Sequence, residues 1–290
     1  MTEEARATLA IIGGSGFYTM DGLERIEIET PFGPTSDAIY VGEIGGTKVA
    51  FLSRHGAGHR LSPTEVPYRA NIWALVSMGV RQLVSVSAVG SLKHEIEPLQ
   101  FVLPDQLIDR TTGRREPSFY GDGLVGHIAF ESPYCPTLSA ALQHATSRVG
   151  GVVHSSGTLI VIEGPAFSTR AESLLYQTWG ASIIGMTALP EAKLAREAGI
   201  CYACLASVTD YDTWHPDHAS VSVDLVVRNL IRNVETARKA VANLATELPD
   251  WRHCNCCAGV DQAVITKLDL APEATKRRLG PILRRHGLLP

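Results

Sequence analysis

Short apolar runs that stop on glycine or on a polar pair alternate with amphipathic helical stretches along most of this chain, and that alternation restricts the fold more than any other feature. Residues 8–12 are apolar and end at Gly13-Gly14-Ser15-Gly16, as a buried strand entering a tight turn does. Residues 24–29 alternate charged and apolar side chains like a half-buried strand, and 38–44 and 48–52 flank Gly45-Gly46, a hairpin signal. Residues 68–78 carry Ile72, Leu75 and Val76 at helical spacing before Gly79. The remaining pattern predicts strands over 83–89, 158–162, 182–186 and 200–208, and helices over 136–149, 169–179 and 190–198. The longest helix is expected over 223–248, with Val223, Val227, Leu230, Val234, Ala237, Val241 and Leu244 as its inner stripe. Such a sequence builds an α/β fold with much of the sheet buried between helices. Near Pro249 the composition turns cysteine-rich and then basic, so the expected organisation is one domain over 8–248 with a C-terminal extension, 249–290, packed on it. Within 271–286 a single helix is expected, its basic face solvated and Leu279, Ile282 and Leu283 inward.

Charge and composition narrow the function. The 26 basic against 30 acidic residues leave a net charge of −4, so nothing draws the whole chain to nucleic acid or an anionic membrane. No apolar stretch is long enough to cross a bilayer, and the N-terminus lacks the basic-then-apolar order of a signal peptide, which makes the cytoplasm the expected compartment. Six cysteines in 290 residues do not suggest a secreted disulfide scaffold.

Chemistry gathers at strand ends. The turn after residue 12 can turn backbone N–H groups and the Ser15 hydroxyl toward an anion, but it also fits a plain tight turn. It fails as a dinucleotide fingerprint, because Thr19 stands where glycine or alanine is required. Arg54-His55-Gly56 follows the run 48–52, and Arg offers a charged fork suited to phosphate. Ser87-Ala88-Val89-Gly90-Ser91 closes another strand with small residues that let backbone N–H groups approach a ligand. Phe167, after Glu163-Gly164-Pro165-Ala166, fits either a ring that stacks on a flat ligand or a core aromatic before a helix capped by Ser168 or Thr169.

Thr209-Asp210-Tyr211-Asp212 is the sharpest motif. On an extended backbone Asp210 and Asp212 point the same way, and two ionised carboxylates aimed together repel, so one tends to hold a proton. Such a pair can accept from an amino group and donate to a ring nitrogen, the pattern of the N6 and N7 edge of adenine. A solvated Asp-rich turn has the same spacing.

Taken together, Gly13-Gly14-Ser15-Gly16, Thr30-Pro31-Phe32-Gly33, Arg54-His55-Gly56, Asn71-Ile72-Trp73-Ala74-Leu75, Asp109-Arg110-Thr111-Thr112, Ile162-Glu163-Gly164-Pro165, Arg170-Ala171-Glu172-Ser173, the run from Glu197 to Ala203 and Thr209-Asp210-Tyr211-Asp212 resemble the 5′-methylthioadenosine phosphorylase family of the purine nucleoside phosphorylase superfamily, in order from about Ile11 to about Val241. The resemblance implies a twisted, partly barrelled mixed sheet flanked by helices, a homotrimer, and reversible phosphorolysis of methylthioadenosine to adenine and methylthioribose 1-phosphate. Phosphate is then a co-substrate, with no metal and no organic cofactor. By position it assigns Ser15, Arg54, His55, Ser87, Ala88 and Thr187 to phosphate, Met186 to the ribose, Phe167 to the purine face, and Asp210 and Asp212 to its N7 and N6 edge. Val223 and Val226 are assigned to the methylthio pocket, and His127 is lent to that end by a neighbouring subunit. The departures are Ala166 where many relatives carry Arg, Val89 for the usual Cys, Ser15 and Ser87 where animal relatives have Thr, and the segment from Pro249 onward, which does not follow the animal enzymes.

Three other readings share parts of this evidence. A broader purine nucleoside or methylthioinosine phosphorylase would keep the phosphate site. A dinucleotide-dependent oxidoreductase would need the fingerprint that Thr19 breaks, and a non-catalytic purine-binding protein would not need Arg54, His55, Asp210 and Asp212 together. Cys201 and Cys204 sit three apart on an apolar strand and so face opposite sides, as buried thiols. His253-Cys254-Asn255-Cys256-Cys257 fits reduced thiols, a disulfide, or a metal site with ligands brought from elsewhere.

Overall fold

In the computed structural model, which describes residues 5–14, 22–216 and 222–290, the chain alternates where the sequence does. The strands are β1 (Leu9–Gly13), β2 (Glu24–Ile26), β3 (Ile39–Ile44), β4 (Thr47–Ser53), β5 (Gln82–Ser91), β6 (Phe101–Val102), β7 (Gln106–Arg110), β8 (Val153–His154), β9 (Thr158–Ile162), β10 (Ile183–Gly185) and β11 (Cys201–Asp210). The helices are α1 (Tyr68–Ser77), α2 (Pro136–Arg148), α3 (Arg170–Thr178), α4 (Ala188–Glu197), α5 (Val223–Thr246), α6 (Glu273–Arg278) and α7 (Gly280–Arg285).

The strands form one mixed sheet that forks at β5. Along one edge of β5, Gln82 to Ser85 pair in parallel with β1, whereas Gly90 and Ser91 pair antiparallel with β10. Between them residues 86–89 have no strand partner on that edge among the described residues. The other edge runs parallel to β11 throughout. The two arms, β2-β3-β4-β1 and β10-β9-β7, diverge from the gap, and the sheet does not close among the described residues.

Period-two alternation divides the core. Tyr202, Cys204, Ala206 and Val208 of β11 face the layer that holds α1, α4 and α7, while Cys201, Ala203 and Leu205 face α2 and α5. All ten positions of β11 are buried, which explains why its sequence is apolar on both faces. Gly45 and Gly46 both take left-handed φ in the β3–β4 turn, as the expected two-residue hairpin requires.

Three readings change. The strand expected over 24–29 stops at Ile26, and β6, β7 and β8 were not anticipated, since two of them are two residues long and β7 (QLIDR) has no buried position to betray it. The single helix expected over 271–286 is two, α6 and α7, with Pro281 in the first turn of α7. Proline has no N–H to continue a helix, so α6 ends ahead of it. Leu279, Ile282 and Leu283 nevertheless point inward, in one apolar cluster with Leu75 and Leu194.

Candidate active site

A cavity of about 320 Å³ opens at the fork, over the carboxyl ends of the parallel strands β1, β4, β5 and β11, where ligands of open α/β sheets bind. It gathers Arg54, His55, Ser87, Ala88, Phe167, Met186, Thr187, Asp210, Asp212 and Val226 of the expected set. Residues 86–89, paired with β11 on one edge and without a described strand partner on the other, line it.

At the expected anion end, Arg54 behaves differently from the sequence reading. Its fork does not face the cavity as a free clamp. Nε and Nη2 grip Glu191 of α4 at 2.9 and 3.1 Å, both side chains being almost wholly buried. Burial alone would lower the guanidinium's pKa, but the Glu191 carboxylate holds it above the ordinary value. Nη2 also donates to Ser85 Oγ (2.7 Å), Ser85 Oγ lies 3.3 Å from Ser87 Oγ, and Ser87 Oγ lies 3.4 Å from Thr187 Oγ1. Arg54 therefore lines the cavity with its fork already taken up, and hydroxyls link it to Ser87 and Thr187. Thr187 occupies the cap position of α4 without spending its hydroxyl on a helix N–H, which leaves it for a ligand.

His55 adds a neutral acceptor. Its Nδ1 lies 2.8 Å from the Leu61 carbonyl, so Nδ1 carries the proton and Nε2 does not in the neutral ring. Burial and the Arg54 charge push its pKa down to about 4. The ring stacks on His59, centroids 4.2 Å apart, a cavity residue the sequence reading had missed.

At the other end the two carboxylates converge by a route other than strand alternation. β11 stops at Asp210, and Asp212 stands in the following turn with φ of +50°, a region that Asp tolerates better than most residues. The Asp212 N–H donates to Asp210 Oδ1 (2.8 Å), and Thr209 Oγ1 donates to Asp210 Oδ2 (2.7 Å). Ser173 of α3 donates to Asp212 Oδ2. Burial raises the pKa of Asp210, and burial with the neighbouring Asp210 charge raises that of Asp212 to about 6. Gly90 makes this packing possible, because a Cβ there would lie 3.0 Å from Asp210 Oδ1 and 3.2 Å from Asp212 Cβ.

Phe167 lies on the cavity wall and is 42% exposed, as a face awaiting a ring would be. Thr169, not Ser168, caps α3, in a capping box with Glu172. Ser168 Oγ is left buried on the cavity wall without a hydrogen-bond partner among the described residues. Arg115, which the sequence reading had passed over, fixes Met186 from behind. It donates to the carbonyls of Met186 (2.6 Å) and Leu189 (2.7 Å) and pairs with Glu163 (2.9 Å). Burial opposes the Glu163 charge, but hydrogen bonds from Thr112, Thr64 and Arg115 outweigh it and hold the carboxyl down at about 2.

Of the remaining expected residues, one is not described and two stand outside this assembly. Ser15 lies outside the described residues. Val223 is 66% exposed on the first turn of α5, and the helix begins to wall the cavity only at Val226, followed by Leu230 and Val234 at four-residue steps. His127 is exposed and away from the cavity of its own chain, its backbone N–H on the Ala263 carbonyl.

A family model described as the phosphorylase superfamily matches residues 8–247. The chain is 48% identical over 284 residues to the S-methyl-5′-thioadenosine phosphorylase of Koribacter versatilis, covering 97% of each, and 50% identical over 283 residues to that of Chloroflexus aurantiacus, covering 97% and 98%. Among solved structures it matches a methylthioadenosine phosphorylase from an antarctic soil metagenomic library with a TM-score of 0.90 and 47% identity, covering 97% of this chain and all of that one.

Proposed function

The chain belongs to the phosphorylase superfamily, and on that premise we propose that it catalyses phosphorolysis of S-methyl-5′-thioadenosine to adenine and 5-methylthioribose 1-phosphate. The observation that carries this reading is one cavity with hydroxyls and a neutral imidazole at one end and two buried carboxylates of raised pKa at the other, with Met186 in its wall.

The chemistry follows from that polarity. Phosphate sits among Ser87, Thr187, the Ala88 backbone and His55, whose Nε2 accepts from a P–OH group, with Arg54 supplying charge and the assigned Ser15 a further hydroxyl. The purine stacks on Phe167 with N7 toward Asp210 and its amino group toward Asp212. As C1′–N9 breaks, the bonding pair moves into the purine and Asp210 protonates or hydrogen-bonds N7. A phosphate oxygen then bonds to C1′, whose positive charge it has already offset. Water is excluded by the apolar wall, which protects the sugar cation from hydrolysis. The chemistry calls on no metal and no organic cofactor.

The carboxylates select adenine, since a 6-oxopurine presents a ring N–H and a carbonyl where Asp212 expects an amino group. Val226, Leu230 and Val234 suit a methylthio group better than a hydroxyl. The working unit is a homotrimer in this reading, with His127 of the neighbouring subunit closing the methylthio end. The row Val223, Val227 and Ile231, exposed along α5 beside that wall, supports a covering neighbour. Residues 8–248 form the catalytic unit, and 249–290 pack against it. Among the described residues no helix is long and apolar enough to cross a membrane.

The test is purified protein incubated with methylthioadenosine with and without phosphate, adenine being followed by chromatography and the sugar phosphate by phosphorus NMR. Adenine should appear only with phosphate and in equal amount to methylthioribose 1-phosphate. Equal release without phosphate would make the protein a hydrolase, and faster turnover of inosine or methylthioinosine would overturn the adenine assignment.

A further inference from the structure

The cysteine cluster stands apart from this chemistry. The sequence around 254–257 offered a Cys-x-Cys pair short of two ligands, and the fold brings them. Cys135 at the start of α2 and Cys201 at the start of β11 meet Cys254 and Cys256 of the extension so that all four sulfurs lie within 4.8 Å of one another. We propose that Cys135, Cys201, Cys254 and Cys256 form a tetrathiolate zinc site that fastens the C-terminal extension to the catalytic core.

The geometry suits a common centre. Zinc bound to sulfur at about 2.3 Å in a tetrahedron sets its sulfurs roughly 3.8 Å apart. Here Cys135 and Cys254 are 3.2 Å apart and Cys201 and Cys256 3.4 Å, with every other pair inside 4.8 Å. Two of the sulfurs already accept backbone N–H bonds, as thiolates do in metal loops. The Leu138 N–H donates to Cys135 Sγ (3.3 Å) and the Cys256 N–H to Cys254 Sγ (3.4 Å). Cys135 is also the cap of α2, where the helix dipole favours a thiolate. Soft sulfur donors in a tetrahedral set select zinc over the hard divalent ions.

Binding displaces four thiol protons to solvent and moves no electrons, so a dication and four thiolates leave two net negative charges. Cys135 and Cys201 are buried and Cys254 and Cys256 half-buried, so the site is sheltered yet open to an entering ion.

The site lies a full strand from the catalytic cavity. Cys201 and Asp210 are the two ends of β11, on the order of 30 Å apart at the usual strand rise. Zinc binding can therefore be tested without reference to turnover. Protein purified in reductant without chelator should carry about one zinc per chain by elemental analysis, and a Cys254→Ser/Cys256→Ser variant less than about a tenth of that. Cys204→Ser and Cys257→Ser should keep the metal. Cobalt substitution should give the visible bands of a tetrahedral thiolate complex, and chelation of the wild-type protein should lower its melting temperature and expose residues 249–290 to protease, while phosphate-dependent adenine release persists below that temperature. Four freely titrating thiols with no bound metal, intact disulfides among these residues in the reduced protein, or a metal content unchanged in the double variant would each overturn the proposal.

Discussion

In the proposed reaction Asp210 faces the departing purine, and replacing it by alanine removes that group while disturbing little else. Asp210 accepts two hydrogen bonds in the free enzyme. One comes from Thr209 Oγ1, which already lies 3.2 Å from the Val89 carbonyl and can turn to it. The other comes from the Asp212 N–H, which loses its acceptor. One orphaned donor costs about 1–3 kcal/mol of stability, which a domain of this size survives. Loss of a donor aimed at developing charge costs about 2.7–4 kcal/mol of barrier, so kcat should fall about 10²- to 10³-fold. Asp210→Asn is the discriminating companion. Its Nδ2 can still donate to N7 while Thr209 rotates to Val89, so part of the loss returns, along with some turnover of 6-oxopurine nucleosides. Initial rates at saturating phosphate, with kcat and KM resolved and the melting temperature recorded, check both variants. An alanine variant whose kcat stays within about threefold of wild type, while folded, would refute the role given to Asp210.

Other parts of the site answer to separate measurements. The His55 pKa is held near 4 against an ordinary 6.5, so the unfolded chain binds a proton that the folded chain refuses. Its contribution is complete above about pH 6.5 and is lost as the pH falls toward 4, about 3 kcal/mol in all; urea unfolding at pH 7 and 4.5 should show a smaller acid loss in His55→Gln, and an equal loss would count against the shift. Arg115→Met frees the Met186 and Leu189 carbonyls and unpairs Glu163. Stability should drop toward the lower end of about 3–5 kcal/mol, since Thr64 and Thr112 still hold Glu163, and the nucleoside KM should rise more than kcat falls. Gly90→Ala pushes a Cβ against Asp210 Oδ1; kcat should fall about tenfold with a near-normal melting temperature, because small displacements of a catalytic group are costly. Val226→Ser should lower the ratio of kcat/KM for methylthioadenosine over adenosine about tenfold, the scale of losing one apolar contact in a specificity pocket.

Which of these residues could be read from the sequence follows from how locally each is specified. Arg54, His55, Ser87 and Asp210 end apolar runs, and an apolar run that stops on polar residues marks the rim of a buried sheet wherever it occurs in the chain. Glu191 and Arg115 carry no such mark. Glu191 is 137 residues from Arg54, and only the packing of α4 against the sheet makes it the partner that takes up the guanidinium fork. The stripe on α5 was legible as a period but not as a depth, since nothing in the spacing tells where the sheet stops covering the helix. Val223 and Val227 therefore read as inward and stand exposed. Asp210 and Asp212 were identified for a reason that holds only in part: they do converge, but through a turn with a left-handed Asp212 that spacing alone does not reveal.

The deeper constraint is the change of partner along β5. Small side chains at Ser87, Ala88 and Gly90 would be a weakness in an ordinary central strand, since they bury little surface. They make sense once β1 leaves the edge after Ser85 and β10 joins at Gly90. The exposed edge needs room for a ligand, and Gly90 needs room for the carboxylates. In the proposed reaction Ser87 serves the anion end and Gly90 the base end, three residues apart on one extended strand, or roughly 10 Å. That is about the separation between a phosphate on one side of a ribose and the far edge of a purine on the other. A single strand thus sets the distance between the two ends of the reaction. Inserting one residue between Ser87 and Gly90 should abolish turnover even where the fold and each half-site survive, a result that separate fluorescence titrations with adenine and with phosphate would expose.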